Sequence, residues 1–193
     1  MSLLQNLVAA DDSLFVQLNG HYHAPVVDAC MRVLTDWSQE TLALVVVALA
    51  MCLVLRGQTR RNWMIAFAAL IVTDFLVDRA IKPLVHRPRP ADEMLAVRLL
   101  TARRHSFAFP SGHAANSASL CGAYAALGAR RAWVMGLVSL VVGSSRVYVG
   151  VHHPLDVVAG WAFGGLCGWL VATLAVRLPA VRKSPSRPAP PRA

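Results

Sequence analysis

Three short stretches of this chain carry residues able to do chemistry: Lys82 to Pro90 (KPLVHRPRP), Pro110 to His113 (PSGH) and Ser145 to Asp156 (SRVYVGVHHPLD). Lys82, Arg89 and Arg146 are cations of the kind that stabilise a phosphoryl group in transfer, whose charge spreads over three equatorial oxygens. Ser111 suits the N-cap of a helix opened by Gly112 and His113, so free backbone N–H groups there point at an anion, and Gly112 lets the backbone come close. His152 precedes Asp156 by four positions, with Pro154 starting a helix between them. That spacing lets the carboxylate hold one imidazole nitrogen and leave the other free, as an oriented histidine nucleophile requires. His113, on another element, can protonate a leaving oxygen as general acid. A structural histidine satisfied by a carbonyl is the alternative for either, and spacing alone does not decide which of the two attacks. A basic loop taken singly more often anchors a chain than reacts. Three separate segment ends, however, have no packing reason to gather a lysine, two arginines, two histidines and an aspartate.

The elements that must position these residues are helices in a membrane. The chain is 56% hydrophobic and only 15% charged over 193 residues, too apolar for an ordinary soluble domain of that length. Apolar runs long or nearly long enough to cross a hydrocarbon core extend from Trp37 to Leu55, Trp63 to Val77, Trp133 to Val149 and Leu155 to Leu178, with a milder one from Ala114 to Leu127. Asp11 and Asp12 lie where a signal peptide would need its apolar region, so the first segment is expected to stay attached. Leu3, Leu4, Leu7, Leu14, Phe15 and Leu18 recur there at helical spacing and predict an amphipathic helix in the interface, followed by a short helix from Pro25. The expected fold is therefore all-α: an integral membrane bundle of about five to six transmembrane helices with interfacial helices over 1–36. Residues 1–178 read as a single domain and 179–193 as a disordered, basic, Pro-rich tail. Gly160, Gly164 and Gly168 repeat every fourth residue and predict close approach of another helix.

Five crossings put the three reactive stretches on one face together with the N-terminal segment. The other face collects Arg56, Arg60, Arg61, Arg130, Arg131 and the cations from Arg177 onward, and no acid. By the positive-inside rule that face is cytoplasmic, which turns the reactive stretches towards the periplasm or cell exterior.

Several other functions are disfavoured. The net charge of +9 sits between apolar runs and in the tail, not along a soluble face, so nucleic acid is not an expected partner. No HExxH, cysteine cluster or carboxylate cluster suggests a catalytic metal, and no cofactor is expected. Cys30, Cys52, Cys121 and Cys167 are scattered and read as buried hydrophobes. Asp28, Arg32 and Asp36 can pair along one helix face, Asp78 can brace Lys82 as a helical ion pair, and Asp92 with Glu93 reads as loop charge. Asp74 lies inside an apolar run, where a carboxylate is either functional or a hydrogen-bonding group; the latter is the favoured reading. Asp74 with the cationic loops could also serve a lipid transporter or flippase, but no inverted repeat supports it.

The order KxxxxxxRP, PSGH, SRxxxxxHxxxD, met here at Lys82 to Pro90, Pro110 to His113 and Ser145 to Asp156, resembles the three-part signature of the type 2 phosphatidic acid phosphatase family, which shares its active site with vanadium haloperoxidases. The resemblance implies Lys82, Arg89, Ser111, Gly112 and Arg146 as phosphate-binding residues, His113 as acid, and His152 with Asp156 as nucleophile and orienter. Within that family, Asn19-Gly20 followed by Pro25 and Asp28, the short length and an outward-facing site are similar to bacterial undecaprenyl-diphosphate phosphatases of the bacitracin-resistance type. Such enzymes sit in the inner membrane and regenerate the carrier for peptidoglycan. That type often carries Asp where this chain has Gly112, which leaves phosphatidylglycerophosphate, phosphatidate or a lipid A phosphate as other substrates.

Overall fold

A computed structural model describes residues 3–21, 24–37, 50–95, 97–130 and 132–178. Among the described residues every regular element is helical. Helix α1 (Leu3–Gly20) and α2 (Pro25–Trp37) precede a helical stretch at 50–54 and α3 (Gly57–Leu76). From α3 the chain runs through a π-helical turn (Val77–Ile81) into the one-turn α4 (Lys82–Val85), and α5 (Pro90–Glu93) follows in the long connection. The bundle is completed by α6 (Gly112–Ala126), α7 (Ala132–Tyr148) and α8 (Pro154–Arg177). The runs expected at 63–77, 114–127, 133–149 and 155–178 thus fall on α3, α6, α7 and α8. Most of the expected run from Trp37 to Leu55 and the tail 179–193 lie outside the described residues. Among those described, α8 alone is both long and apolar enough to cross a membrane; α7 is apolar but shorter.

Small residues build the interior. Along α8, Gly160, Gly164 and Gly168 face the backbone of Ser111, Ala115 and Ser119, the matching four-residue row at the start of α6 and along it. A Cβ on Gly160 would lie 2.6 Å from the Ser111 carbonyl oxygen, and on Gly164 or Gly168 it would collide with the Ala115 or Ser119 carbonyl. The expected glycine stripe therefore has α6 as its partner, and its consequence is positional: α6 is pressed so close that Ser111 N–H donates to the Asp156 carbonyl at 2.9 Å. Ala66, Ala69, Ala123 and Ala172 close the far end of the bundle. Large apolar side chains point the other way: Ile71, Phe75, Leu137, Leu140, Leu166 and Leu174 are all exposed. A bundle with alanine and glycine inside and leucine outside has the inverse distribution of a water-soluble core.

Most of the apolar stripe of α1 is turned away from the bundle. Leu3, Leu7, Leu14 and Leu18 are exposed, whereas Asp11, Phe15 and Asn19, four residues apart, are buried against the bundle. The reason is hydrogen bonding, because the two polar side chains find backbone and ionic partners there. The Asn19 amide donates to the carbonyls of Arg98 and Tyr148 and accepts from Arg98 N–H at 2.9 Å. On α2, Asp28 accepts from Arg98 at 2.8 Å and from the Tyr148 hydroxyl at 2.6 Å, tying α2 to α7. The cysteines divide similarly: Cys167 is buried, Cys52 and Cys121 are partly so, and Cys30 is exposed on α2, contrary to the expectation of burial.

Candidate active site

Local structure brings the three stretches to one place. The π-helical turn carries Asp78, whose carboxylate accepts from the Lys82 ammonium at 2.6 Å, as the spacing predicts. His86 then ends α4 in the left-handed region (φ 53°), with its N–H donating to the Lys82 carbonyl, and the chain turns so that Arg87 and Arg89 enter the bundle. Arg89 is buried and held at every nitrogen: Nε and one terminal nitrogen donate to the carbonyl and hydroxyl of Ser106, and the other donates to the Val151 carbonyl at 2.9 Å. Burial and the charge of Arg104 pull this guanidinium below its ordinary range, Asp156 opposing.

Ser111 does occupy the N-cap of α6, yet its hydroxyl makes no cap bond: among the described residues its fully buried Oγ has no hydrogen-bond partner, and neither does Nε2 of His113 two residues on. Buried polar atoms of this kind are the exception in folded chains and suit groups waiting for a ligand. Gly112 adjoins the Lys82 ammonium; a Cβ there would lie 3.6 Å from Nζ. Arg146, 1% exposed, sits in the last turn of α7, and its carbonyl accepts from the N–H groups of Val151 and His152 at 3.1 and 3.3 Å, which folds the loop back over the helix end. The charges of Lys82, Arg104 and Arg146 all act on His113, and those of Arg89 and Arg146 on His152.

Two adjacent histidines compete for Asp156. Its Oδ2 lies 3.5 Å from Nδ1 of both His152 and His153, and accepts the His153 backbone N–H at 2.9 Å. At 3.5 Å the His152 contact is a long one, and Nδ1 meets no tighter partner. The far ring nitrogens separate the pair. Nε2 of His152 faces Arg89 at 3.4 Å, towards the cations, whereas Nε2 of His153 faces Asp12 of α1 at 3.4 Å and its ring packs on Phe15. Burial pushes the His152 imidazole down, to about 3, Asp156 opposing and the Arg89 and Arg146 charges adding to it. The ring is therefore neutral at ordinary pH and keeps a lone pair on the nitrogen turned to the cations.

Arg87 and Asp11 escaped the sequence reading. One terminal nitrogen of Arg87 donates to Oδ1 of Asp156 at 2.8 Å and the other to Oδ2 of Asp11 at 2.7 Å. Against the lowering effect of burial, the two carboxylates lift this guanidinium above its ordinary value. The only local signal was a second arginine two positions before Arg89. Among the other residues singled out, Asp74 accepts from the Asn116 amide at 2.6 Å, which fits the hydrogen-bonding reading, and Asp92 pairs with Arg103 at 2.7 Å.

The family model of the PAP2 superfamily matches residues 62–179, the stretch that contains all three reactive segments. The chain belongs to the PAP2 superfamily. Among similar PAP2 proteins, an undecaprenyl-diphosphatase of Sulfolobus acidocaldarius is 36% identical over 83 residues, 42% of this chain and 40% of that protein. A decaprenylphosphoryl-5-phosphoribose phosphatase of Mycobacterium tuberculosis is 33% identical over 146 residues, 74% of this chain and 77% of the relative. The chain thus spans less than half the length of the first relative and about three quarters of the second. The crystal structure of a transmembrane PAP2-type phosphatidylglycerolphosphate phosphatase from Bacillus subtilis superposes with a TM-score of 0.69 at 23% identity, covering 92% of this chain and 90% of that one, which shows a shared fold.

Proposed function

We propose that this protein is an integral membrane lipid phosphatase that hydrolyses a polyprenyl diphosphate, undecaprenyl diphosphate above all, to the monophosphate. The observation that carries the mechanism is the 3.4 Å approach of Arg89 to Nε2 of His152, which aims a neutral imidazole nitrogen into the cationic space. Lys82, Arg89, Arg146 and the N–H groups opening α6 at Ser111 and Gly112 bind the terminal phosphate. Nε2 of His152 attacks phosphorus, the bond to the leaving oxygen breaks, and His113, which takes up a proton as the anionic substrate binds and offsets the surrounding cations, delivers it to that oxygen. Asp156 orients His152 and stabilises the charge its ring acquires. Water then attacks the phosphohistidine, His113 takes its proton, and inorganic phosphate leaves with His152 restored.

The outward-pointing leucines and the apolar α8 support a bundle embedded in a membrane, read here as five to six crossings with α1 and α2 in the interface and residues 1–178 as one unit. The acid-free basic loops support a site on the periplasmic or exterior face of the inner membrane. Two relatives whose names contain polyprenyl substrates favour the polyprenyl reading. Phosphate release from undecaprenyl diphosphate, phosphatidate and phosphatidylglycerophosphate by the detergent-solubilised protein tests it. Fastest release from the C55 diphosphate is expected; preference for a glycerolipid would replace the substrate, and release from none would remove the function.

A further inference from the structure

Helix α1 reaches the dyad through its acidic residues. Asp11, 4% exposed, accepts the Leu155 backbone N–H at 2.9 Å with Oδ1 and binds Arg87 with Oδ2. Arg87 passes the contact on to Oδ1 of Asp156, leaving Oδ2 for the histidines. Asp12 faces His153 on the other side, and Phe15 packs against the same ring. The first turn of α8 is thus gripped from α1 at the Leu155 amide, the Asp156 carboxylate and the His153 ring. A carboxylate with two near-equivalent histidine neighbours needs such a grip, because a small rotation about its χ angles would hand Oδ2 to His153 instead of His152.

We propose that Arg87 and Asp11 are positioning residues for the phosphatase reaction, with Asp11 fixing Arg87 and Arg87 fixing the Asp156 carboxylate against His152. The inference rests on the lipid phosphatase reading and adds to it a requirement for α1. Groups one step removed from a metal-ligating side chain act on its orientation and basicity, and their loss typically lowers activity roughly 10- to 100-fold; a group that orients a catalytic carboxylate is expected to have an effect of that order. Positioning of the nucleophile acts on the chemical step. The phosphate is bound by other residues, so binding should change little.

The test measures kcat and KM for Arg87→Gln, Asp11→Ala and the double variant in detergent, together with hydrogen exchange at the Leu155 amide. Arg87→Gln is expected to lower kcat roughly 10- to 100-fold with KM within about threefold. Asp11→Ala should lower kcat less and speed exchange at Leu155, and the double variant should be no slower than Arg87→Gln, because Asp11 acts through Arg87. Arg87→Lys, which can reach one carboxylate but not bridge two, should recover part of kcat and serves if the glutamine variant does not fold. Unchanged kcat in Arg87→Gln, losses that multiply in the double variant, a change confined to KM, or unaltered exchange in Asp11→Ala would each overturn the inference. Wild-type protein that releases phosphate from no lipid would instead strike at the phosphatase reading, and the exchange measurement would still decide whether α1 grips the loop.

Discussion

Arg89 approaches Nε2 of His152 to 3.4 Å while its other nitrogens are fixed by Ser106 and its terminal nitrogen also reaches the Val151 carbonyl. A cation at that position, in a planar fork locked by three protein acceptors, lies beside the place phosphorus must take when the imidazole attacks it, within reach of the phosphoryl oxygens. The geometry joins a residue before α5 to one before α8 across 63 positions of sequence.

Arg89→Lys is consequently not conservative. An ammonium cannot satisfy the Ser106 carbonyl and hydroxyl, the Val151 carbonyl and a phosphate oxygen together. Steady-state kinetics should show kcat/KM lower by about 10²-fold or more. Near-wild-type activity would mean that charge alone, without the fork, is enough.

Gly112 controls the neighbourhood of Lys82. Its φ is helical and a Cβ meets only ordinary contact at 3.6 Å from Nζ, so Gly112→Ala should cost far less than Gly112→Leu, whose side chain would crowd the ammonium and the phosphate beside it. A phosphate-release assay over substrate concentration should show KM for Gly112→Leu raised about tenfold, the effect expected from roughly 1.4 kcal/mol of lost binding, with KM for Gly112→Ala changed far less.

The seam between α6 and α8 has no room for a side chain. Gly164→Leu would drive Cβ into the Ala115 carbonyl and separate Ser111 from Asp156. Overpacking of this sort destabilises by about 1–3 kcal/mol, occasionally more. Thermal melting in detergent should show a lower Tm, with activity lost along with it; an unaltered Tm would contradict the close seam.

His152 should make the fold sensitive to acid. The folded chain holds the ring at about 3, below the 6.5 of an unhindered histidine. An unfolded chain therefore binds the extra proton between those two values, so this contribution to stability is present above about pH 6.5 and is lost as pH falls towards 3. The drop in Tm between pH 7 and pH 5 should be smaller in His152→Ala than in the wild type. An equal drop would place the ring in a more solvated setting.

Much of the site could be read locally. The Asp78–Lys82 pair is an i, i+4 contact within one helical run, and the glycine stripe of α8 announces a close neighbour by its spacing. Which helix answers that stripe is a tertiary fact, settled only by the row Ser111, Ala115 and Ser119 on α6. Arg87 and Asp11 were illegible for the same reason: their contact bridges 76 positions, and the helical spacing around Asp11 does not name the partner its carboxylate finds. Periodicity announces the apolar stripe of α1 but not the face that packs on the bundle: in an apolar surrounding leucine can point outward, and the buried face is the one whose polar groups have partners. The signature singles out His152; that its neighbour His153 competes for Asp156 and turns its far nitrogen to Asp12 instead of the cations is visible only in the structure.

The most direct measurement is rapid-quench trapping of a labelled phosphoenzyme with undecaprenyl diphosphate carrying radioactive terminal phosphate. The account predicts an acid-labile, alkali-stable label on the peptide containing His152 in the wild type, and none in His152→Ala. A label on any other residue, or an undiminished one in His152→Ala, would contradict it.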